Sequence, residues 1–241
     1  MGDLWIVARK ELREQLRQGS DVLRYIGFAV ILGAFFPMTY LNQGYGTVVV
    51  GSVLWLGYAG ITTASVATLG AFFAERQRGT LETLFTTPLT DLSIFAGKMI
   101  FSLVVSLGSV LAAGVMQFVA VNAIKRLVPQ LGVGMADLIV LPPVAYLALF
   151  LVLPTVLFYT VSVGTLVSLR VASVRTAHLI NTLATFLLAI PGALVILLLG
   201  PRLTMNFVLA LTAVMLNVDW LVLWLALRYF SREAAILNIP E

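Results

Sequence analysis

Long runs of apolar residues recur along the chain, and short polar or Gly- and Pro-containing segments separate them. A helix needs about 20 mostly apolar residues to cross the hydrocarbon core of a bilayer. Six runs reach this length, and each predicts a transmembrane helix. The predicted spans cover residues 22–41, 47–73, 92–124, 137–169, 177–199 and 204–228.

Prolines affect the interior of the predicted fourth and fifth spans. Pro154 is expected to kink the fourth span, because proline has no N–H for the helical hydrogen bond. Pro191 and Gly192 interrupt the fifth run in the same way. Residues 193–200 therefore either complete the fifth span or form a short re-entrant helix, which is tolerated only where protein or water covers it.

The first 19 residues have a different pattern. Trp5, Ala8, Leu12 and Leu16 recur at helical spacing, and mostly basic residues fill the positions between them. This pattern is typical of an amphipathic helix that lies in the headgroup plane of a membrane. An alternative is that the segment serves only as an orientation anchor for the first span.

Composition supports the same class of protein. Hydrophobic residues make up 60% of the chain and charged residues 11%, against about 25% charged in ordinary soluble domains. The mean hydropathy is +1.02, which excludes a disordered chain. The fold class is therefore predicted to be all-α, as a polytopic integral membrane protein with six transmembrane helices. With no cysteine and one histidine, the chain offers neither a thiolate nor a multi-histidine metal site.

The basic residues indicate an orientation for these spans. Only Lys125, Arg126 and Arg202, of the 15 basic residues, fall on the face opposite to the termini. Because basic residues favour the cytoplasmic side, both termini are expected in the cytoplasm. The predicted location is the cell membrane, with the lipid bilayer as the surroundings and no nucleic-acid partner.

The loop between the second and third spans, residues 75–91, carries the most informative polar sequence: ERQRGTLETLFTTPLTD. Gly79 suits the end of a helix, and Thr80 can cap a new short helix that Pro88 terminates. Asp91 is predicted to cap the third span. The short helix would present the apolar side chains of Leu81, Leu84 and Phe85 on one face. The loop is thus either a docking element or a solvated connector.

The segment from Glu75 to Lys98 resembles the cytoplasmic loop of ABC-2-type permeases, which are membrane subunits of many ATP-driven exporters. The family pattern has an acid and a base at the end of the second span, then Gly-Thr-Leu-Glu, Pro-Leu and Gly-Lys. The matching residues are Glu75, Arg76, Gly79, Thr80, Leu81, Glu82, Pro88, Leu89, Gly97 and Lys98. The less specific likeness over the rest of the chain includes the start Arg9-Lys10-Glu11-Leu12.

The resemblance implies that the loop helix is a coupling helix, which fits a groove on a cytoplasmic ATPase subunit. It also implies a dimer of ATPase subunits, which bind ATP and magnesium, and a second permease copy or a related permease. The chain itself lacks the GxxxxGK[ST] phosphate loop, so it is expected to be neither an enzyme nor a cofactor-binding protein. The implied ATPase-coupling interface consists of Glu75, Arg76, Gly79, Thr80, Leu81, Glu82, Leu84, Phe85 and Pro88.

Asp219 is the one acid deep within an apolar run. A charge at the centre of a membrane helix costs roughly 2.5–3.5 kcal/mol, so this side chain should face protein or water. It would line a translocation path with Asn217 and Asn181, or it would be a structural acid at a helix contact. Small residues four apart predict close helix contacts, as ordinary packing within the chain or as a dimer seam, in the pairs Gly60/Ala64, Ala67/Ala71, Ser102/Ser106 and Gly108/Ala112.

Two other classes of function compete with an ATP-driven exporter. A secondary transporter or channel would work without ATP and would use Asp219 to carry a proton or a sodium ion. An intramembrane enzyme would need a motif such as HExxH or a pair of intramembrane acids, and the sequence has neither. The sequence does not specify the substrate.

Overall fold

The computed structural model describes residues 2–17, 19–77, 90–128, 130, 138–171, 173–199 and 204–229. These residues are almost entirely helical, and no strand occurs among them. The α-helices are α1 (Gly2–Arg17), α2 (Gly19–Val30), α3 (Phe36–Met38), α4 (Tyr45–Gln77), α5 (Asp91–Leu127), α6 (Pro143–Leu147), α7 (Leu153–Arg170), α8 (Val174–Leu199) and α9 (Met205–Tyr229).

Five helical segments are long and apolar enough to cross a membrane, which confirms an all-helical, multi-pass membrane protein. A helix suits this setting because it satisfies its own backbone hydrogen bonds where lipid offers none. These segments are Tyr45–Phe73, Leu92–Leu127, Pro143–Ser168, Val174–Leu194 and Met205–Arg228. They correspond to the predicted second to sixth spans.

The predicted first span, residues 22–41, is built differently. Its helix α2 passes into a π-helical turn at Ile31–Phe35 and then into α3. The apolar helical stretch Tyr25–Phe35 is shorter than the five long segments. A crossing by this part of the chain therefore stays a prediction.

Pro154 and Pro191, in the predicted fourth and fifth spans, are accommodated in different ways. A π-helical stretch, Ala148–Val152, ends two residues before Pro154 and joins α6 to α7. A wide turn of this kind accommodates the missing proline N–H, so the helical path continues. Pro191 lies inside α8, which runs unbroken to Leu199. Residues 193–199 thus extend the helix of the fifth span and do not form a separate re-entrant helix.

Helix α1 confirms the predicted N-terminal helix and packs against the bundle. Its Ala8 belongs to a buried cluster with Ala67 and Ala71 of α4 and Phe101 of α5. Trp5 is 65% exposed and lies on the outer side of α1. The small residue of the predicted apolar stripe therefore faces the protein, and the large aromatic residue faces outward; the position of α1 in the headgroup plane stays a prediction. The part of the bundle that α1 contacts is called the α1 end below.

Helix α4 is central and contacts α5, α7 and α8. The largest core cluster joins Ala64 of α4 to Phe95 and Met99 of α5, Leu157 and Val161 of α7, and Ala226 of α9. Gly60 shows how closely these helices approach. A Cβ built on it would lie 2.7 Å from Val110 Cγ2 and 2.9 Å from Leu157 Cδ2.

Three of the four small-residue pairs are buried, as predicted. The pair Gly108/Ala112 is different, because both residues are exposed on α5. A Cβ added to Gly108 would have no neighbour within 4 Å. For that pair the interpretation as packing within the chain was wrong, since spacing alone does not say which face of an apolar helix meets its neighbours; a dimer seam there stays a prediction.

Candidate functional site

The structure describes only the edges of the predicted coupling loop. Glu75 and Arg76 lie in the last turn of α4, which ends at Gln77. The remaining predicted coupling residues, from Gly79 to Pro88, lie outside the described residues. The helix that the sequence predicts at 80–88 therefore stays a prediction.

The start of α5, where the loop returns, is capped by Thr90. The Thr90 side chain accepts a hydrogen bond from the Ser93 backbone N–H at 3.3 Å. The Ser93 hydroxyl donates in turn to the Thr90 carbonyl oxygen at 2.7 Å. Asp91, the predicted cap, is instead the first residue of the helix. Both residue types suit this role, but only Thr90 has the extended backbone that a cap requires.

A buried ion pair joins Glu11 of α1 to Lys98 of α5. Lys98 lies seven positions after Asp91, the first residue of α5. Lys98 Nζ donates to Glu11 Oε1 at 2.8 Å and to the Ala71 carbonyl oxygen of α4 at 2.7 Å. The Lys98 side chain is 1% exposed and that of Glu11 is 6% exposed. The Lys98 ammonium also lies 5.3 Å from the centre of the Phe72 ring. One lysine thus connects three helices at the α1 end.

The sequence placed Lys98 on the same side of the membrane as the termini, and the structure adds that its side chain is buried between helices. A lysine is almost never fully buried without a partner, and Glu11 supplies the compensating charge. One sequence signal could have revealed the pair. Glu11 shares a helix face with the buried residues Val7 and Ala8, and Lys98 lies among the buried residues Phe95 and Met99.

Comparison of the chain with protein-family models, with curated proteins and with solved structures gives no match. The likeness of the loop sequence to ABC-2-type permeases therefore stays a prediction.

Asp219 lies on the buried face of α9. It is 5% exposed, in line with the buried residues Met215, Val222 and Ala226. Its Oδ1 has no hydrogen-bond partner among the described residues. Tyr159 of α7 is near enough to interact with it electrostatically. The prediction that Asp219 faces protein is confirmed, and its partner helix is α7.

The other two residues proposed for the translocation path do not join Asp219. Asn181 of α8 is fully buried, and its Nδ2 donates to Ser65 Oγ of α4 at 2.8 Å. Asn217 is exposed and donates to the Ala213 carbonyl oxygen of its own helix at 2.7 Å. A shift of two positions along a helix turns the side chain by about 200°, which explains why Asn217 and Asp219 face opposite ways.

Further polar side chains connect the helices in the apolar interior. The Thr63 hydroxyl donates to Ser109 Oγ at 3.0 Å, and Gln117 Nε2 donates to Ser52 Oγ. Both pairs join α4 to α5. Polar contacts of this kind stabilise helix association in membranes by about 0.6 kcal/mol each on average. Within the described ranges, no group of three His, Cys, Asp or Glu residues could hold a metal ion.

Proposed function

We propose that this chain is the membrane-spanning permease subunit of an ABC exporter. Six transmembrane helices form half of the pathway, and a second copy or a related permease completes it. Both termini lie on the cytoplasmic side of the cell membrane. The helix at residues 80–88 couples the chain to a separate ATPase dimer, which binds ATP and magnesium. The observation that carries the proposal is the match of residues 75–98 to the ABC-2 loop pattern.

The architecture of the described residues supports this proposal. The loop connects two helices, α4 and α5, that pack extensively along each other in the bundle. Movement of the loop would therefore act directly on the core helices. Lys98 joins both of these helices to α1, because it contacts Glu11 and the Ala71 carbonyl oxygen. The two helices that flank the loop are thus joined to each other and to α1 by the contacts of Lys98.

The coupling proposal predicts a partner that can be isolated. A tagged chain purified in mild detergent from its native host is expected to bring along a stoichiometric P-loop ATPase, identified by mass spectrometry. Glu82→Lys combined with Leu84→Asp should abolish this co-purification, because it reverses a charge and places a carboxylate on the apolar docking face.

A matched pair of changes at the other end of α5 serves as the control. Arg126→Glu with Leu127→Asp makes the same kinds of change where Leu127 is 79% exposed, and should leave the ATPase bound. If the intact chain is isolated alone, also after crosslinking, the coupling proposal fails.

Asp219 favours a second candidate, a transporter driven by an ion gradient. Its buried carboxyl oxygen has no hydrogen-bond partner among the described residues, which suits a group that binds and releases a proton or a sodium ion. Asn217 and Asn181 lie elsewhere in the bundle, so this candidate depends on Asp219 with Tyr159 nearby.

Asp219→Asn separates the two candidates. The exporter proposal predicts that ATP-driven transport persists in this variant. Its midpoint of thermal unfolding in detergent should be equal or higher, because a neutral amide is cheaper to bury than a carboxylate. The alternative predicts loss of transport with unchanged stability. Asn217→Asp is the contrasting variant, since it places a carboxylate on the exposed face of α9 and should weaken membrane insertion.

A further inference from the structure

A cavity of about 560 Å³ lies between the helices in the half of the bundle away from the α1 end. Residues of α3, α4, α7, α8 and α9 and of the π-helical stretch Ala148–Val152 line it. Among the described residues that line it, none is charged. Its volume is within the roughly 300–1,000 Å³ that is typical of small-molecule sites. None of the residues discussed so far as functional candidates contributes to its wall.

One wall of the cavity is a continuous series of aromatic rings. Phe36 stacks on Trp55 with 3.9 Å between ring centres and 15° between ring planes. Trp55 meets Tyr58 edge to face at 5.9 Å, and Tyr58 lies 6.2 Å from Phe186 with its ring tilted by 27°. The rings come from three different helices, so the wall exists only in the folded protein.

The opposite side is aliphatic and includes Leu153, Val156 and Leu211. Polar character is confined to a few groups at the aromatic wall. Trp55 Nε1 donates to the Tyr40 hydroxyl oxygen at 3.2 Å. The Tyr40 hydroxyl accepts this hydrogen bond through its oxygen, so its own hydrogen can be donated to an acceptor on a ligand.

We propose that this cavity binds a flat, neutral aromatic molecule that carries a hydrogen-bond acceptor. The aromatic faces favour stacking with a planar ring, and the absence of charge in the lining disfavours an ionised ligand. Tyr58 and Ile190 line the cavity and are themselves exposed at the surface of the bundle, so the site opens sideways. A ligand that dissolves in lipid would enter there. The proposal does not depend on coupling to an ATPase.

Trp55 provides a direct reporter of occupancy. The other tryptophans, Trp5, Trp220 and Trp224, are 65%, 71% and 47% exposed. Replacing these three by Phe leaves Trp55 as the only tryptophan in the full-length chain, which is then placed in lipid nanodiscs. The probe is 2-bromo-6-methoxynaphthalene, whose bromine quenches tryptophan emission on contact and whose ether oxygen can accept from Tyr40. The emission is corrected for absorption by the probe.

Saturable quenching of Trp55 is expected, and unbrominated 2-methoxynaphthalene should reverse it. Gly192→Leu should weaken binding about tenfold or more, because Gly192 lines the cavity and a Cβ there meets no atom within 4 Å. Ala193→Leu makes a similar change from the next position, in case the first variant does not fold. Tyr40→Phe should weaken binding about fivefold through loss of one hydrogen bond.

The matched control is Gly27→Leu. Gly27 also has no atom within 4 Å of a built Cβ, but it does not line the cavity. This variant should bind the probe as the parent protein does. Quenching that rises linearly with probe concentration, equally in the Gly192→Leu and Gly27→Leu variants, would show simple partitioning into lipid and overturn the proposal.

The same protein distinguishes the proposed ligand from a lipid chain. The comparison uses a second variant, in which Trp224 is the single tryptophan, and nanodiscs of phosphatidylcholine with brominated acyl chains. An acyl chain seated in the cavity would quench Trp55 as strongly as the surrounding lipid quenches Trp224. If 2-methoxynaphthalene does not relieve that quenching, the site holds acyl chains and the proposal fails. Weak quenching of Trp55 relative to Trp224 is the expected result.

Discussion

Lys98→Met is expected to destabilise the protein by about 3–5 kcal/mol, because it removes one partner of the buried ion pair with Glu11. Methionine keeps most of the side-chain volume, so the loss reports on charge and not on a cavity. The variant should also release α1, since the ammonium is the contact that joins Glu11 to the Ala71 carbonyl oxygen. SDS titration and thermal unfolding in detergent measure the loss of stability.

Two further variants test whether the pair itself is responsible. Adding Glu11→Leu to Lys98→Met removes both charges and should recover most of the lost stability, because apolar replacements of a buried pair are often neutral. Glu14→Gln is the matched control on the same helix. Its ion pair with Lys10 is 3.8 Å long with side chains 41% and 43% exposed, so a loss of about 0.5 kcal/mol or less is expected. Equal losses for Lys98→Met and Glu14→Gln would contradict a stabilising role for the buried pair.

Gly33→Ala is expected to destabilise the contact between the π-helical turn Ile31–Phe35 and α5 by about 3 kcal/mol. A Cβ built on Gly33 would lie 2.8 Å from Ala113 Cα and 2.9 Å from its carbonyl carbon, and nearer still to the carbonyl oxygen. These are backbone atoms, so no side-chain rotation relieves the clash, and one of the two helical segments must move. The midpoint of thermal unfolding and the fraction of monodisperse protein both report the effect.

Gly27→Ala makes the same chemical change two turns earlier. A Cβ on Gly27 meets no atom within 4 Å. Because alanine favours a helix over glycine by about 0.5–1 kcal/mol, this variant should be as stable as the parent or more so. Similar stability of the two alanine variants would show that the π-helical turn Ile31–Phe35 and α5 do not approach as closely as the structure indicates.

The spans could be predicted from the sequence because their signal is local. A run of about 20 apolar residues with self-satisfied backbone groups is sufficient to define a membrane helix. The predicted spans at 47–73 and 204–228 accordingly differ by only a few residues from the observed segments Tyr45–Phe73 and Met205–Arg228. The outcome at Pro191 was less predictable, because neighbouring helices decide whether a membrane helix tolerates a proline.

The faces of these helices could not be predicted in the same way. In a membrane protein both the lipid-facing and the core-facing positions are apolar, so hydrophobic periodicity is weak. Gly108/Ala112 and Gly60/Ala64 have the same spacing, yet the first pair is exposed and the second buried. The packing of neighbouring helices, and not the spacing, decided between them.

The amino-acid sequence by itself determined the helical class, the five long membrane segments and the N-terminal helix, and it directed Asp219 toward protein or water and away from lipid. Each follows from hydropathy over one continuous segment or from the cost of a charge in lipid. Only the tertiary structure decided that Glu11 pairs with Lys98, that Asn181 bonds to Ser65, and that Phe36, Trp55 and Phe186 line one cavity. These relations join residues far apart in the chain, and they depend on which helix faces meet when the helices pack.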